Sequence, residues 1–483
     1  MVELPISFKE KLENILGKEE LERYLEAFNN PRYYGLRVNN KKISTEDFLK
    51  ISPFDLKPIP WIANGFFYDG ENISPAKHPY FFAGLYYLQE PSAMTPANRL
   101  PVKAGDRVLD LCAAPGGKST ELAARIGDDG LLVSNDMSFS RVKGLLKNIE
   151  LFGIGNSLVI SEDGTKLEKY FPEYFDGILL DAPCSGEGMF RKNSKMITAW
   201  ESEGPEFFSP IQKKLIISAA HMLKPGGHLL YSTCTFDLRE NEEVIQYLLD
   251  NESDMEIVDM MPYEGFYKGI ALARNKDLEK TVHIFPQRME AEGHYLALLH
   301  KKKTNKKDKG FSSIYTGKVS KNVLKSDGYK SLLDFLKDIN TDKTSVFGEK
   351  NKPIDTNRID IKEDKVYYMP EATPYLPKLR FARTGLLLGE IKRDRFEPSQ
   401  ALACTLNKES FGKVLNFEKD DIRVSKYLKG ETIDVDDIVS SKEKGYYLVC
   451  VDGFSLGWGK LSGGTLKNKY LVGWRLRSEF QDI

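Results

Sequence analysis

Five short apolar runs, "RVLDLCA", "LLVSND", "SLVISED", "DGILLDA" and "GHLLYSTC", follow one another between residues 107 and 234 and constrain the fold more than any other feature of the chain. Each has strand length and is apolar throughout rather than alternating, the pattern of a strand buried on both faces. Between several of them lie amphipathic helical stretches, "GKSTELAARIG", "SRVKGLLKNIELFG" and "PIQKKLIISAAHML", the last ended by "KPGG". Strand and helix in alternation predict an α/β fold, a doubly wound, Rossmann-like sheet covered on both faces, with "HYLALLHK" as its final strand.

The chain has 483 residues, more than one hydrophobic core supports, so flanking domains are expected. Residues 6–29 read as a helix before the breaker "NNP", "YYGLRVN" as a strand, and "STEDFLKI" as a helix capped by Ser44 or Thr45. Residues 1–90 are thus a small α+β unit, and residues 91–302 carry the doubly wound sheet. The lysine-rich "HKKKTNKKDK" at 300–309 marks a boundary. Residues 303–390 are a linker and mixed region with a helix at "GYKSLLDFLKDI" and a strand at "DKVYYMP", and residues 391–483 are β-rich with glycine turns.

No run of apolar residues is long enough for a membrane span, and the N-terminus lacks a basic region followed by an apolar core, so a cytoplasmic protein is expected. Its 69 basic residues nearly balance 70 acidic ones, which excludes the field of a non-specific nucleic-acid binder. RNA contact must then come from local patches: the lysine run, and the stretch from Phe454 to Arg477 with Lys460, Lys467, Lys469 and Arg475. Trp458 in "GFSLGWGK" reads equally as barrel core. The five cysteines form no CxxC pair and are expected as free thiols. The six histidines show no ligand spacing, "EGHYLALLHK" reads as strand packing, and no metal is expected.

"VLDLCAAPGGKSTELAA" sets a strand, a turn with two glycines and a helix in series, which lets backbone N–H groups approach the anionic end of a ligand. Asp136 closes the next strand, where a carboxylate accepts from a ribose diol. The nucleotide is NAD or S-adenosylmethionine. The turn lacks G-x-G-x-x-G spacing, and Asp163 ends a third strand where it can accept from an adenine amine. S-adenosylmethionine is favoured.

Asp181 and Cys184 follow one strand in "DGILLDAPCSGEG", and Cys234 follows another in "HLLYSTCTFDLRENE", so two thiols face one crevice at the carboxyl edge of the sheet. Carbon 5 of a pyrimidine is a poor nucleophile until a thiolate adds at carbon 6, and that chemistry needs a cysteine and an acid at the N3 edge. Asp181 is the candidate acid, which presupposes a raised pKa. A second thiol can assist loss of the carbon 5 proton.

"LDLCAAPGGKST", "NDMSFSRVKGLLKN", "LLDAPCSGEGMFRK" and "YSTCTFDLRENEEVI" resemble the motif set of the Nol-Nop-Sun family of RNA cytosine carbon-5 methyltransferases, over roughly residues 85–300. The resemblance implies that Cys234 is the nucleophile, through a covalent cysteine–cytosine adduct, and that Cys184 helps release the product. It places the cofactor contacts on Cys112, Ala113, Ala114, Pro115, Gly116, Gly117 and Lys118, on Asp136, Asp163 and Asp181, and on Arg141, which otherwise reads as an exposed helix arginine. "YYGLRVNN" and "YLQEPSAMTPA" look like the family's N-terminal RNA-binding module. The C-terminal part resembles RsmF-type bacterial enzymes, which end in a PUA-like domain and modify cytosines in the decoding region of 16S rRNA.

The expected partner is therefore 16S rRNA, within the small ribosomal subunit, acted on by a monomer. A tRNA substrate, and a non-catalytic ribosome-assembly factor, are the competing expectations. The target cytosine must be unpaired or flipped, at a cost of a few kcal/mol.

Overall fold

The computed structural model describes residues 3–272, 275–303, 315, 317–371 and 373–477. Its central sheet is built on five parallel strands: β1 (Arg107–Asp110), β2 (Leu131–Asn135), β3 (Ser157–Ile160), β4 (Phe175–Asp181) and β5 (Leu223–Thr233). They lie side by side in the order β3-β2-β1-β4-β5. β6 (His294–Lys301) adds antiparallel to β5, with Tyr295 opposite Thr233.

Successive residues of one strand serve opposite layers. Leu109, Val133, Leu158, Ile178 and Leu180 face the core under helix Pro205–Met222, whereas Val108, Leu132, Val159 and Leu179 face helices Gly117–Ile126 and Phe139–Leu151. Both faces are covered, which is why the strands read as continuous apolar runs.

The sheet departs from expectation at its edges. "HYLALLHK" is not its final strand: β7 (Phe381–Thr384) pairs antiparallel with β3, Phe381 opposite Ile160. The expected division at 390/391 falls inside the strand Leu386–Lys392, whose Glu390 pairs with Glu397 in a four-stranded sheet.

The expected helix over 6–29 is two helices, Ile6–Leu16 and Lys18–Phe28, broken at Gly17, whose positive φ of 81° glycine adopts without strain. Ser44 caps the helix Thr45–Ile51 by accepting from the Asp47 N–H. The N-terminal four-stranded sheet shares one core with the C-terminal five-stranded sheet, Leu36 and Tyr86 packing in the same cluster as Leu415 and Tyr427.

Trp458 belongs to the core: it is 1% exposed and its Nε1 donates to the Ser399 carbonyl at 2.7 Å. Within the lysine run, Lys301 is buried and donates to the Ala220 and Leu223 carbonyls, and residues 304–309 lie outside the described residues. Among the described residues no helix is long and apolar enough to cross a membrane.

Candidate active site

The carboxyl ends of β1 and β4 open onto a cavity of about 400 Å³ between the sheet and the N-terminal unit, whose lining does not include Cys184 or Cys234. Tyr33, Tyr87 and Glu90 line it on one side, and Cys112, Ala113, Ala114, Pro115, Gly117, Lys118 and Asp181 on the other. The turn after β1 is set by Gly116, whose φ of 109° is closed to other residues without strain, and a side chain there would press on Leu145. Helix Gly117–Ile126 then starts at the cavity wall. Arg37, fully buried in the N-terminal unit, braces it by donating to the Gly117 carbonyl at 2.7 Å and pairing with Glu121 at 3.1 Å.

Asp136 follows β2 and is nearly fully buried. It accepts from the Ala114 N–H at 3.2 Å and the Ser138 N–H at 3.0 Å, and pairs with Arg141 at 3.1 Å. Arg141 also donates to the Ala114 carbonyl at 2.6 Å, so it ties the helix Phe139–Leu151 to the turn. Asp163 caps the short helix Gly164–Lys166, accepting from the Thr165 N–H and hydroxyl. Neither Asp136 nor Asp163 lines the cavity itself, although each has carboxylate lone pairs beyond those its own loop uses.

The amide of Asn135, which the sequence did not single out, holds these loops together. It donates to the Leu111 and Glu162 carbonyls and accepts from the Glu162 N–H.

Asp181, at the end of β4, accepts from Lys118 Nζ at 2.7 Å and from the Ser232 hydroxyl at 2.7 Å, and His294 Nε2 lies 3.6 Å away. Burial alone would raise its pKa, yet Lys118 and His294 outweigh that and hold the carboxyl well below the usual carboxylate range. The raised pKa expected for Asp181 is thereby reversed: it is a carboxylate that accepts hydrogen bonds. His294, expected as strand packing, is one of its partners.

Cys184 and Cys234, from the loops after β4 and β5, bring their sulfurs to 3.3 Å, and the Cys234 N–H donates to Cys184 Sγ at 3.3 Å. Both residues are partly exposed. The hydrogen bond with Cys234, followed by burial, pushes the Cys184 thiol well above its ordinary value. The loops are cross-linked by Glu240, which accepts from the Ser185 N–H at 3.0 Å, from the Ser185 hydroxyl and from Gln212 at 2.8 Å. Gly188 donates to the Cys234 carbonyl, and a Cβ on Gly188 would lie 2.5 Å from the Gly293 oxygen.

An open α/β sheet with a glycine turn, two strand-end acids and paired thiols at one edge matches known proteins along its whole length. Residues 97–300 match the 16S rRNA methyltransferase RsmB/F family, and residues 4–91, 334–406 and 414–476 match the N-terminal, first C-terminal and PUA domains of the methyltransferase RsmF. A ribosomal RNA small subunit methyltransferase F from Vibrio parahaemolyticus is 31% identical over 97% of this chain and 96% of its own length. The chain belongs to this family of rRNA methyltransferases.

The corresponding family member from Erwinia tasmaniensis is 32% identical over 96% of this chain and 95% of its own. Among solved structures, a methyltransferase homolog from Pyrococcus horikoshii is similar to the chain at a TM-score of 0.54 and 31% identity, covering 62% of this chain and 96% of its own. The family match to residues 334–406 spans the 390/391 point at which the strand Leu386–Lys392 also continues.

Proposed function

We propose that the chain methylates carbon 5 of a cytosine in 16S rRNA, using S-adenosylmethionine, with Cys234 as nucleophile. The observation that carries this reading is the pair of sulfurs 3.3 Å apart at two adjacent strand ends, next to a cavity that the β1 turn and Asp181 line. The cofactor would be held by residues Cys112–Lys118 together with Asp136 and Asp163. When bound it supplies an electrophilic methyl group.

The chain's own residues account for the remaining steps. Cys234 adds as thiolate at carbon 6 of the flipped cytosine, forming a carbon–sulfur bond, while N3 takes a proton and carbon 5 becomes enamine-like. Asp181, held ionised by Lys118, accepts from the exocyclic amine. The Lys118 ammonium, which burial would neutralise but Asp181 keeps charged, can donate to the ring.

Once Cys234 is a thioether, its hydrogen bond no longer raises the Cys184 pKa and burial is the chief cause that is left. Once carbon 5 carries the methyl group, Cys184, whose sulfur lies 3.3 Å from that of Cys234, can take the carbon 5 proton as the Cys234 sulfur leaves.

An RNA bound by a chain of balanced charge needs shape as well as charge, which favours the assembled small subunit over naked RNA, acted on by a monomer in the cytoplasm. The test is transfer of labelled methyl groups to small subunits and to protein-free 16S rRNA, with bisulfite mapping of the product. Cys234→Ala is expected to lose transfer by at least about a thousandfold. Full activity of that variant would remove the nucleophile from the scheme, and equal rates on both substrates would remove the subunit.

A further inference from the structure

We propose that the cleft beside β7 is a second RNA contact, which stacks one unpaired nucleobase of the substrate strand on Tyr375 and neutralises the adjoining phosphates. The proposal rests on the rRNA reading above and adds a binding site outside the cysteine crevice.

The cleft holds about 270 Å³ and is lined by Tyr315, Tyr375, Lys318, Lys362 and the apolar Leu376 and Phe381. The rings of Tyr315 and Tyr375 lie within 8° of parallel, with centroids 6.1 Å apart. Tyr375 is 50% exposed. Its partner is fixed from behind: the Tyr315 hydroxyl donates to the buried Asp360 at 3.0 Å, and Asp360 also accepts from the Lys318 N–H. A half-exposed, oriented aromatic ring suits any base, since every base presents a π-face.

Charge around the platform is one-sided. Lys318 Nζ lies 5.7 Å from the Tyr375 centroid, and Lys362 Nζ lies 5.9 Å from that of Tyr315. Lys362 is compensated by Asp360 at 3.2 Å. Lys318, Lys378 and Arg380 are exposed and make no ion pair among the described residues. Lys318 beside the ring, with the exposed Lys378 and Arg380 in the stretch of chain after Tyr375, offers the positive charge that a single-stranded phosphate backbone requires, whereas an apolar peptide would gain nothing from it.

Position supports the same occupant. The Thr373–Leu376 segment runs into β7, and the Arg380 carbonyl accepts from the Ser161 N–H just before the Asp163 loop. The platform is therefore anchored to the edge of the catalytic sheet.

The test uses the full chain and a ten-nucleotide single-stranded RNA carrying 4-thiouridine. Photocross-linking is expected at the peptide containing Tyr375. Tyr375→Ala should weaken binding about tenfold, while Tyr375→Phe, which keeps the ring, should stay within about twofold. Lys318→Ala should lower the slope of log affinity against log salt by about 0.7. Unchanged binding by Tyr375→Ala, equal loss in the alanine and phenylalanine variants, or cross-links only elsewhere would overturn the platform. Methyl transfer by the same preparations separates the two readings. A parent protein that methylates 16S rRNA while Tyr375→Ala binds normally overturns the cleft alone. Tyr375-dependent binding by a protein that methylates no RNA supports the cleft and overturns the reaction.

Discussion

Cys184 Sγ lies 3.3 Å from Cys234 Sγ and accepts the Cys234 backbone N–H, so each loop fixes the position of the other's thiol. Truncating one of them has different consequences from truncating the other. Cys184→Ala is expected to form the covalent RNA adduct and release it slowly, so that a labelled protein–RNA species accumulates on a denaturing gel. In Cys234→Ala the main cause of the raised Cys184 pKa is removed, and Cys184 should alkylate faster with iodoacetamide at about pH 8 than in the parent. An unchanged alkylation rate would separate the two thiols.

Asp181 sits between Lys118 and Ser232 at 2.7 Å each, and its depressed pKa makes it a carboxylate across the assay range. A depressed acid loses its charge only as pH falls through the depressed value, so no acid limb of the rate profile between about pH 5 and 9 belongs to it. Asp181→Asn, which puts a donor where an acceptor is needed, should lower methyl transfer about a hundredfold or more at every pH from about 6 to 9. A variant that recovers at one end of that range would show that charge on Asp181 is not what matters.

The sheet was legible because strands covered on both faces write contiguous apolar runs, as in "DGILLDA". β7 was not: "FART" has no strand signature of its own and becomes a strand only by pairing with β3. The strand-end positions of Asp136, Asp163, Asp181, Cys184 and Cys234 followed from the alternation, but the charge on Asp181 did not. It depends on Lys118 and His294, which tertiary structure alone brings to it. The same holds for Asn135, Arg37 and Glu240, whose partners are distant in sequence. A polar residue in a motif does not reveal which loops it will join.

Glu240 is fully buried between the two cysteine loops, and burial pushes its pKa up to about 7. A raised acid favours its protonated form in the folded state. Its contribution to stability is therefore complete below the unfolded value of 4.5 and is lost as pH rises through about 7. Asp110, also pushed up to about 7 by burial, acts with the same sign. The thermal midpoint should fall between about pH 5 and pH 8, with Glu240 accounting for about 3 kcal/mol of the change. Glu240→Gln cannot ionise, so calorimetry across that range should show a flatter dependence than in the parent.

Lys11 reaches from the first helix into the site, bridging Glu187 of the Cys184 loop and Asp237 of the Cys234 loop, the latter at 2.9 Å. Glu187 is fully buried and is completed by Trp200 Nε1 at 2.7 Å and the Phe236 N–H at 3.1 Å. Phe8, one turn before Lys11, packs on Phe190 at 5.2 Å, so the helix is seated by both apolar and charged contacts. Lys11→Met keeps the apolar stem but leaves the buried Glu187 without its cation, while Asp237 keeps Arg239 at 2.8 Å, which should cost about 2–3 kcal/mol and lower the thermal midpoint. Because the loss falls on the loops that carry both thiols, kcat should drop further than KM rises. Adding Glu187→Gln removes the stranded charge and should restore part of the midpoint. If the double variant is no more stable than Lys11→Met alone, the ion pair does not couple the helix to the site.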